Sequence, residues 1–123
     1  MATPTVRALR GATTVDRDSA EDISQRTQEL LLELMERNGL ATDDVISILF
    51  TATADAVSTF PATAARSIGF GAVPLICAAE IPVPGSTPRC IRVMLHVMTQ
   101  TPREALHHVY LHGANGLNDD LPR

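Results

Sequence analysis

The sequence predicts a small α/β or α+β domain in which a mixed β-sheet carries helices on one face. Strict alternation of apolar residues over positions 90–99 marks an amphipathic strand. Apolar residues at helical spacing over positions 19–38 mark one long amphipathic helix. Shorter apolar runs and turn residues complete the order β-α-β-α-β-β-α-β, which is typical of a single layered domain.

The N-terminal elements are a strand and the main helix. Residues 5–10 form a strand that places Arg10 and Leu9 on opposite faces, and residues 11–14 turn the chain. Asp18 caps the main helix with Glu21 three positions on, and Gly39 ends it. The remaining predicted elements are a buried strand over 45–52, a polar loop over 53–59, a short helix from Pro61 to about Ile68, a strand over 73–79, a loop over 80–89, the strand 90–99, a short helix capped by Thr101 with Glu104 reaching back, and a last strand over 109–111.

Length and composition limit the classes of function. The 123 residues are expected to form one domain, residues 1–123, with a mobile Gly-, Asn- and Asp-rich tail over about 113–123. A net charge of −4 without a basic stretch argues against nucleic acid or an anionic membrane as partner. All ten basic residues are Arg, so lysine Schiff-base chemistry is excluded. Two cysteines and no apolar signal or spanning run predict a reduced, cytoplasmic protein.

Three local patterns have simple structural interpretations. Residues 69–74 begin like a dinucleotide fingerprint, but they precede a strand and end in Pro, which predicts a turn. The histidines His107, His108 and His112 cross a predicted strand and lack a nearby carboxylate or Cys, so we expect half-exposed histidines and no metal site. Cys77 is expected in a structural or pocket-lining role, and Cys90 in the core.

A set of polar residues lies in or beside apolar segments. Its members are Arg10, Arg66, Cys77, Glu80, Arg92 and Tyr110. Charges inside strand-like runs are costly unless they are paired or belong to a ligand site. Taken singly, each is compatible with an ordinary surface salt bridge. Taken together, an arginine-rich pocket with one Glu suits a small dianion that also carries a hydroxyl.

The segments around these residues closely resemble the single-function, trimeric chorismate mutases of bacteria. The resemblance spans about residues 7–121, and its most specific segments are 10–15, 60–62, 73–80, 90–94 and 108–111. It implies the Bacillus-type chorismate mutase fold, in which three subunits form a pseudo-α/β-barrel with three sites at their interfaces. It also implies a pericyclic conversion of chorismate to prephenate without cofactor, metal or covalent intermediate.

The resemblance also implies roles for individual residues. Arg10 and Tyr110 hold the enolpyruvyl carboxylate of chorismate, and Arg92 reaches this carboxylate and the ether oxygen. Glu80 and the backbone of Cys77 hold the ring hydroxyl. The other substrate-binding residues that the resemblance implies are Phe60, Ala62, Thr63 and Arg66 from a neighbouring subunit, Leu75 and Ile76 in the wall, and Leu117 from the tail.

Two positions depart from the family pattern, and two other functions stay open. Thr63 replaces a common pocket-edge Lys, and Asn118 replaces an Arg of the tail, so positive charge is lost at the mouth of the site. An imine/enamine deaminase resembles this family in its trimeric fold and arginine-containing interface sites. A non-catalytic binder of shikimate-pathway metabolites is the alternative outside enzymology.

Overall fold

The computed structural model describes residues 3–117, which form a five-stranded mixed sheet with two helices. The strands are β1 (Thr5–Thr14), β2 (Val45–Ala52), β3 (Leu75–Ala79), β4 (Cys90–Thr99) and β5 (Val109–Tyr110), and the helices are α1 (Ala20–Arg37) and α2 (Pro61–Ala65). Their order across the sheet is β3-β2-β4-β1-β5. β4 runs antiparallel to β1 and β2, whereas β3 and β5 run parallel to their neighbours. The predicted mixed sheet is confirmed.

One face of the sheet carries the hydrophobic core. Leu30, Leu31 and Leu34 of α1 are fully buried with the inward residues of the strands. From β4 these are the alternate residues Val93, Leu95 and Val97, as its pattern predicts. At about 25 cal/mol per Å² of apolar area, burial of these side chains is the main source of stability for the α1–sheet contact.

The opposite face of the sheet carries no helix within the described residues. Val6, Leu49, Ile76 and Met98 lie on this open face and are exposed. Since adjacent strand partners point to the same side, cross-strand pairs run from Ile76 through Leu49 and Met94 to Arg10. The open face is therefore a continuous surface of apolar and basic side chains.

The first strand is longer than predicted. Residues 11–14 continue β1 and pair with β4 as far as Thr14 and Cys90, whereas the sequence predicts a turn there. Gly11 allows α1 to approach, because a Cβ atom at this position would lie 3.0 Å from Leu34 Cδ1 and 3.1 Å from Leu30 Cδ1. The small residue thus serves helix–sheet packing and not chain reversal.

The predicted cap of α1 is wrong by one residue. Ser19 is the N-cap, and its Oγ accepts a hydrogen bond from the N–H of Asp22 at 3.1 Å. Asp18 instead accepts hydrogen bonds from the N–H groups of Val57 and Ser58, both at 2.9 Å, and so ties the loop after β2 to the start of α1. Gly39, with φ of +61°, follows the helix as predicted.

The short elements differ more from prediction than the long ones. α2 starts at Pro61 as predicted, but the chain leaves it after Ala65 through a wide turn, Arg66–Phe70, in which Gly69 has φ of +107°. β3 begins at Leu75, two residues late, because Pro74 has no N–H to donate to the ladder. The predicted helix after β4 is a single 3₁₀ turn, Arg103–Ala105, without a side-chain cap.

Part of the predicted mobile tail is packed. His112–Ala114 form a 3₁₀ turn, Ala114 is fully buried, and Leu117 packs beside it on Tyr110 and Cys90. The remaining tail, including Asn118, lies outside the described residues. No helix within residues 3–117 is both long enough and apolar enough to cross a membrane.

Candidate active site

A pocket of about 440 Å³ opens on the uncovered face of the sheet. Four of the predicted site residues line it: Arg10, Glu80, Arg92 and Tyr110. They come from β1, the end of β3, β4 and β5, so the fold gathers residues up to 100 positions apart in the chain. Leu49, Thr51 and Met94 contribute to the rest of the lining, with Gly11 and Val93.

Strand register explains why these side chains converge. Arg92 is the cross-strand partner of Thr51 on one side and of Ala12 on the other. Ala12 in turn pairs with Tyr110, so Thr51, Arg92 and Tyr110 lie in one row across the open face. Arg10 lies in the next row beside Met94. Ala12 itself is buried in the cluster with Cys90, Tyr110 and Ala114 and does not line the pocket.

Glu80 is held in the pocket by three polar contacts. Its N–H donates to the carbonyl of Ala52 at 3.0 Å, which fixes the chain as it leaves β3. Thr51 Oγ1 donates to Glu80 Oε1 at 2.7 Å. Arg92 Nε lies 2.9 Å from the same oxygen, as an ion pair whose N–H is not aligned as a hydrogen bond. Both charged side chains remain partly exposed and therefore accessible to a ligand.

The chain segment before Tyr110 is anchored to β1 through a histidine. His108 is 7% exposed, so the predicted half-exposed position is wrong for this residue. Its Nδ1 accepts a hydrogen bond from the N–H of Arg10 at 2.9 Å. One residue beyond Tyr110, the N–H of Leu111 donates to the carbonyl of Ala12 at 2.9 Å. Arg10 and Tyr110 are therefore placed relative to each other by bonds on either side of a two-residue strand.

Neither cysteine is set up as a nucleophile. Cys90 is 1% exposed, as predicted for a core residue. Burial raises the pKa of its thiol above the ordinary value, against the opposing effect of Arg92. Cys77 is half-buried, and its side chain packs against the core on the helix-covered side.

The backbone of Cys77, in contrast, faces outward. β3 is the edge strand beside β2. The carbonyl of Pro74 accepts from β2, and the N–H of Glu80 donates to β2. Because alternate residues of a strand point their backbone groups to opposite sides, the N–H and C=O of Cys77 face away from β2 along the free edge. They are available to a ligand or to another chain.

A second hollow of about 700 Å³ lies beside the first and shares Glu80 with it. Phe60 and Cys77 line it, and Phe60 is 67% exposed. Thr63 and Arg66 are exposed, and Ala62 is buried; none of the three lines the 440 Å³ pocket of the same chain. The side-chain amide of Gln28 in α1 anchors α2 by donating a hydrogen bond to the carbonyl of Ala64 at 3.2 Å.

The remaining predicted wall residues divide between the two faces of the sheet. Ile76 lies on the open face beside Leu49 and is 65% exposed. Leu75 packs against the core, so its side chain points away from the pocket, contrary to expectation. Leu117 contacts the cluster around Tyr110 at the edge of the site.

Sequence reasoning missed Thr51, Leu49 and Met94 as pocket residues. Alternation along β2 puts Leu49 and Thr51 on one face, and alternation along β4 puts Met94 with Arg92. Their convergence depends on which strands are neighbours, which a single sequence does not state. Among residues 3–117, no group of three or more His, Cys, Asp or Glu side chains is placed to hold a metal ion.

Residues 6–121 match the family model described as chorismate mutase type I. The chain is 50% identical over 117 residues to chorismate mutase AroH of Thermus thermophilus, covering 94% of this chain and 96% of that protein. It is 43% identical to chorismate mutase AroH of Bacillus subtilis, covering 94% and 92% of the two chains. A solved structure of a chorismate mutase from Clostridium thermocellum superimposes with a TM-score of 0.89 at 51% identity, covering 90% of this chain and 99% of that one. The chain belongs to the type I chorismate mutase family.

Proposed function

We propose that the protein catalyses the pericyclic rearrangement of chorismate to prephenate, a step in phenylalanine and tyrosine biosynthesis, in the pocket between Arg10 and Glu80. The observation that carries the proposal is the pairing of Arg92 with Glu80 in one partly exposed site beside a second arginine. This arrangement matches a dicarboxylate substrate that carries one hydroxyl. Membership of the type I chorismate mutase family identifies the reaction as the conversion of chorismate to prephenate.

The first task of the site is to hold chorismate in a reactive shape. The enolpyruvyl arm has to fold over the ring so that the two carbons that join lie near each other. Arg10 and Tyr110 hold the carboxylate of this arm at one end, and Glu80 accepts a hydrogen bond from the ring hydroxyl at the other. Holding chorismate at both ends restricts it to the reactive conformation, and this lowers the entropic part of the activation barrier.

The second task is to stabilise a polarised transition state. The ether C–O bond breaks while the C–C bond forms, negative charge collects on the ether oxygen, and positive charge collects on the ring. The guanidinium of Arg92 can bond the ether oxygen and the carboxylate together through its planar fork. Glu80 lies on the side where positive charge develops, so the Arg92–Glu80 ion pair provides both signs of charge that the reaction needs.

Charge balance favours a site completed by a second subunit. The pocket of one chain offers two guanidinium groups and one carboxylate, which leaves a single positive charge for a dianion. Arg66 is exposed and lines no part of this pocket, yet a neighbouring subunit can bring it there. The proposed second wall consists of Phe60, Ala62, Thr63 and Arg66, and the first wall of Arg10, Glu80, Arg92 and Tyr110.

The open face of the sheet is the surface that a homotrimer would bury. Leu49, Ile76 and Met98 are large apolar residues left exposed on it by the single chain. Apolar surface of this kind on a small domain is typical of subunit interfaces. The free edge of β3, with the outward backbone of Cys77, lies at the same border. In the proposed trimer, the same subunit contacts therefore cover the apolar face and complete the pockets.

Loss of chorismate absorbance on addition of purified protein, with prephenate identified by NMR as the product, tests this function. Equimolar prephenate formation is the expected result. Binding of chorismate without turnover would favour the non-catalytic binder. If chorismate is neither bound nor converted while an imine substrate is hydrolysed, the deaminase would replace the mutase.

A further inference from the structure

His108 connects the two strands that carry the substrate-carboxylate ligands. Its ring lies just before β5, and its Nδ1 receives the backbone N–H of Arg10 on β1. β5 has only two residues, so few ladder bonds hold it to β1. The side-chain acceptor of His108 extends this short ladder by one bond. The ladder with β4 holds Arg10 on one side, and on its β5 side the backbone of Arg10 is held by a ring whose hydrogen-bonding capacity changes with pH.

Only one form of the ring can make this bond. Nδ1 must carry a lone pair, so the proton of the neutral imidazole is on Nε2. A second proton would convert Nδ1 into a donor that faces another donor, the N–H of Arg10. With His108 7% exposed, water cannot readily replace the lost acceptor.

The surroundings of His108 oppose its protonation. Burial first, then the charge of Arg10, lowers the pKa of His108 below its ordinary value of 6.5. The hollow that His108 lines also contains Arg7 and Arg10 from β1, His96 from β4 and Arg103 from the turn after β4. Asn38, the residue that follows α1, is neutral and bonds the backbone of His107 through its side-chain amide. Among residues 3–117, the charged groups that line this hollow are the three arginines, and no carboxylate lines it, so a proton on His108 is not offset by a negative charge there.

We propose that His108 is a positioning residue of the site: its neutral ring fixes the backbone of Arg10 against β5, and protonation of the ring disturbs the placement of Arg10 relative to Tyr110 and weakens substrate binding. The inference rests on the proposed function, because it assigns Arg10 and Tyr110 to the substrate carboxylate. His108 itself need not touch the substrate. It acts through the backbone of Arg10.

The consequence is a dependence of KM on pH with a definite sign. The bond is intact at pH above 6.5, where the ring is neutral, and it is lost as the pH falls through the lowered pKa of the folded protein. Losing one hydrogen bond to a buried group corresponds to about a tenfold rise in KM. The value of kcat should change less, since Arg92 and Glu80 keep their places.

Two variants separate this role from a merely structural one. In His108→Asn, the amide oxygen occupies nearly the position of Nδ1 and accepts from Arg10 at every pH. We expect near wild-type KM at pH 7.5 and a smaller rise on acidification than in the wild type. His108→Leu fills the space but has no acceptor, and its KM should be about tenfold high throughout. His112→Asn is the matched control, because His112 is exposed, contacts Glu29 and has a positive φ that Asn tolerates.

The ring state can be measured without activity. Long-range ¹H–¹⁵N NMR of the unliganded protein should show an unprotonated Nδ1 on His108 at pH 7.5 and titration below 6.5. Finding the proton on Nδ1 of His108 at pH 7.5 would overturn the proposal. So would a His108→Asn variant whose KM rises on acidification as much as that of the wild type. Both results can be obtained even if His108→Leu fails to fold. A wild type that leaves chorismate unchanged at pH 7.5 would refute the mutase assignment, whereas the NMR result would still test the bond.

Discussion

Arg92 Nε lies 2.9 Å from Glu80 Oε1, although β4 and β3, the strands that bring these residues, are separated by β2. Thr51 of β2 spans the gap, since it is the strand partner of Arg92 and donates to Glu80 at 2.7 Å. The three side chains form one unit in which each charge already has a partner before substrate arrives. Little reorganisation is then needed when charge separates in the transition state.

Arg92→Lys should remove most of the turnover although it keeps the positive charge. A lysine ammonium on a flexible stem lacks the rigid fork that contacts the ether oxygen and a carboxylate together. Loss of one such donor lowers kcat by about 10²–10³-fold. Steady-state kinetics with chorismate measure this, and Arg37→Lys at the end of α1 serves as the control for arginine loss. A folded Lys variant that keeps most of the wild-type kcat would refute the role of Arg92.

Thr51→Val should lower kcat/KM about tenfold, because Glu80 loses its hydroxyl donor while the strand keeps a β-branched residue. Thr51→Ser retains the hydroxyl and should recover most of the loss. The comparison of these two variants by kinetics, with circular dichroism to verify folding, isolates the hydrogen bond. Equal kcat/KM in the Val and Ser variants would mean that Thr51 does not position Glu80.

Asp18 should stabilise the fold in a pH-dependent way. Hydrogen bonds from the side chain of Ser58 and from the backbone of Ser58 and Val57 hold the pKa of the Asp18 carboxyl below its ordinary 3.8. A lowered pKa in the folded state contributes stability above pH 3.8, and this contribution disappears as the pH falls through the folded-state value.

The measurement is the melting temperature of Asp18→Ala against the wild type at neutral pH and at several acidic pH values. The variant should melt lower near neutrality, and the difference should shrink toward acid. Asp43→Ala, on the exposed turn before β2, is the control. A difference that is constant with pH would assign the effect to helix packing and not to the carboxylate.

Long periodic elements were predictable from the sequence, and the contacts between strands were not. The stripe on α1 and the alternation on β4 follow from local spacing, so both faces were assigned correctly. The strand through residues 11–14 was missed because Gly11 and its small neighbours resemble a turn until α1 is placed against them. Thr51 and His108 were missed because their roles depend on register between distant strands. Polar residues in or beside apolar segments suggested Arg10, Glu80, Arg92 and Tyr110, and the resemblance to a known family assigned their roles.

Complementation between two inactive variants should reveal a site shared between subunits. Arg92→Ala damages the first wall, and Phe60→Ala combined with Arg66→Ala damages the second. In the proposed trimer, each variant alone would have three impaired sites. In mixed trimers some sites unite an intact first wall from one subunit with an intact second wall from its neighbour, because a cyclic trimer has head-to-tail interfaces.

Unfolding and refolding the two variants together at equal amounts should restore about one quarter of the wild-type sites, since each wall is intact with a chance of about one half in a random cyclic trimer. The recovered activity should depend on the mixing ratio and peak at equal amounts. Native mass spectrometry of one isotope-labelled variant verifies that mixed trimers form. Two refolded parents assayed as a simple mixture provide the baseline. If mixed trimers form but activity stays at this baseline, then the site lies within one chain, and Phe60 and Arg66 do not belong to a neighbour's pocket.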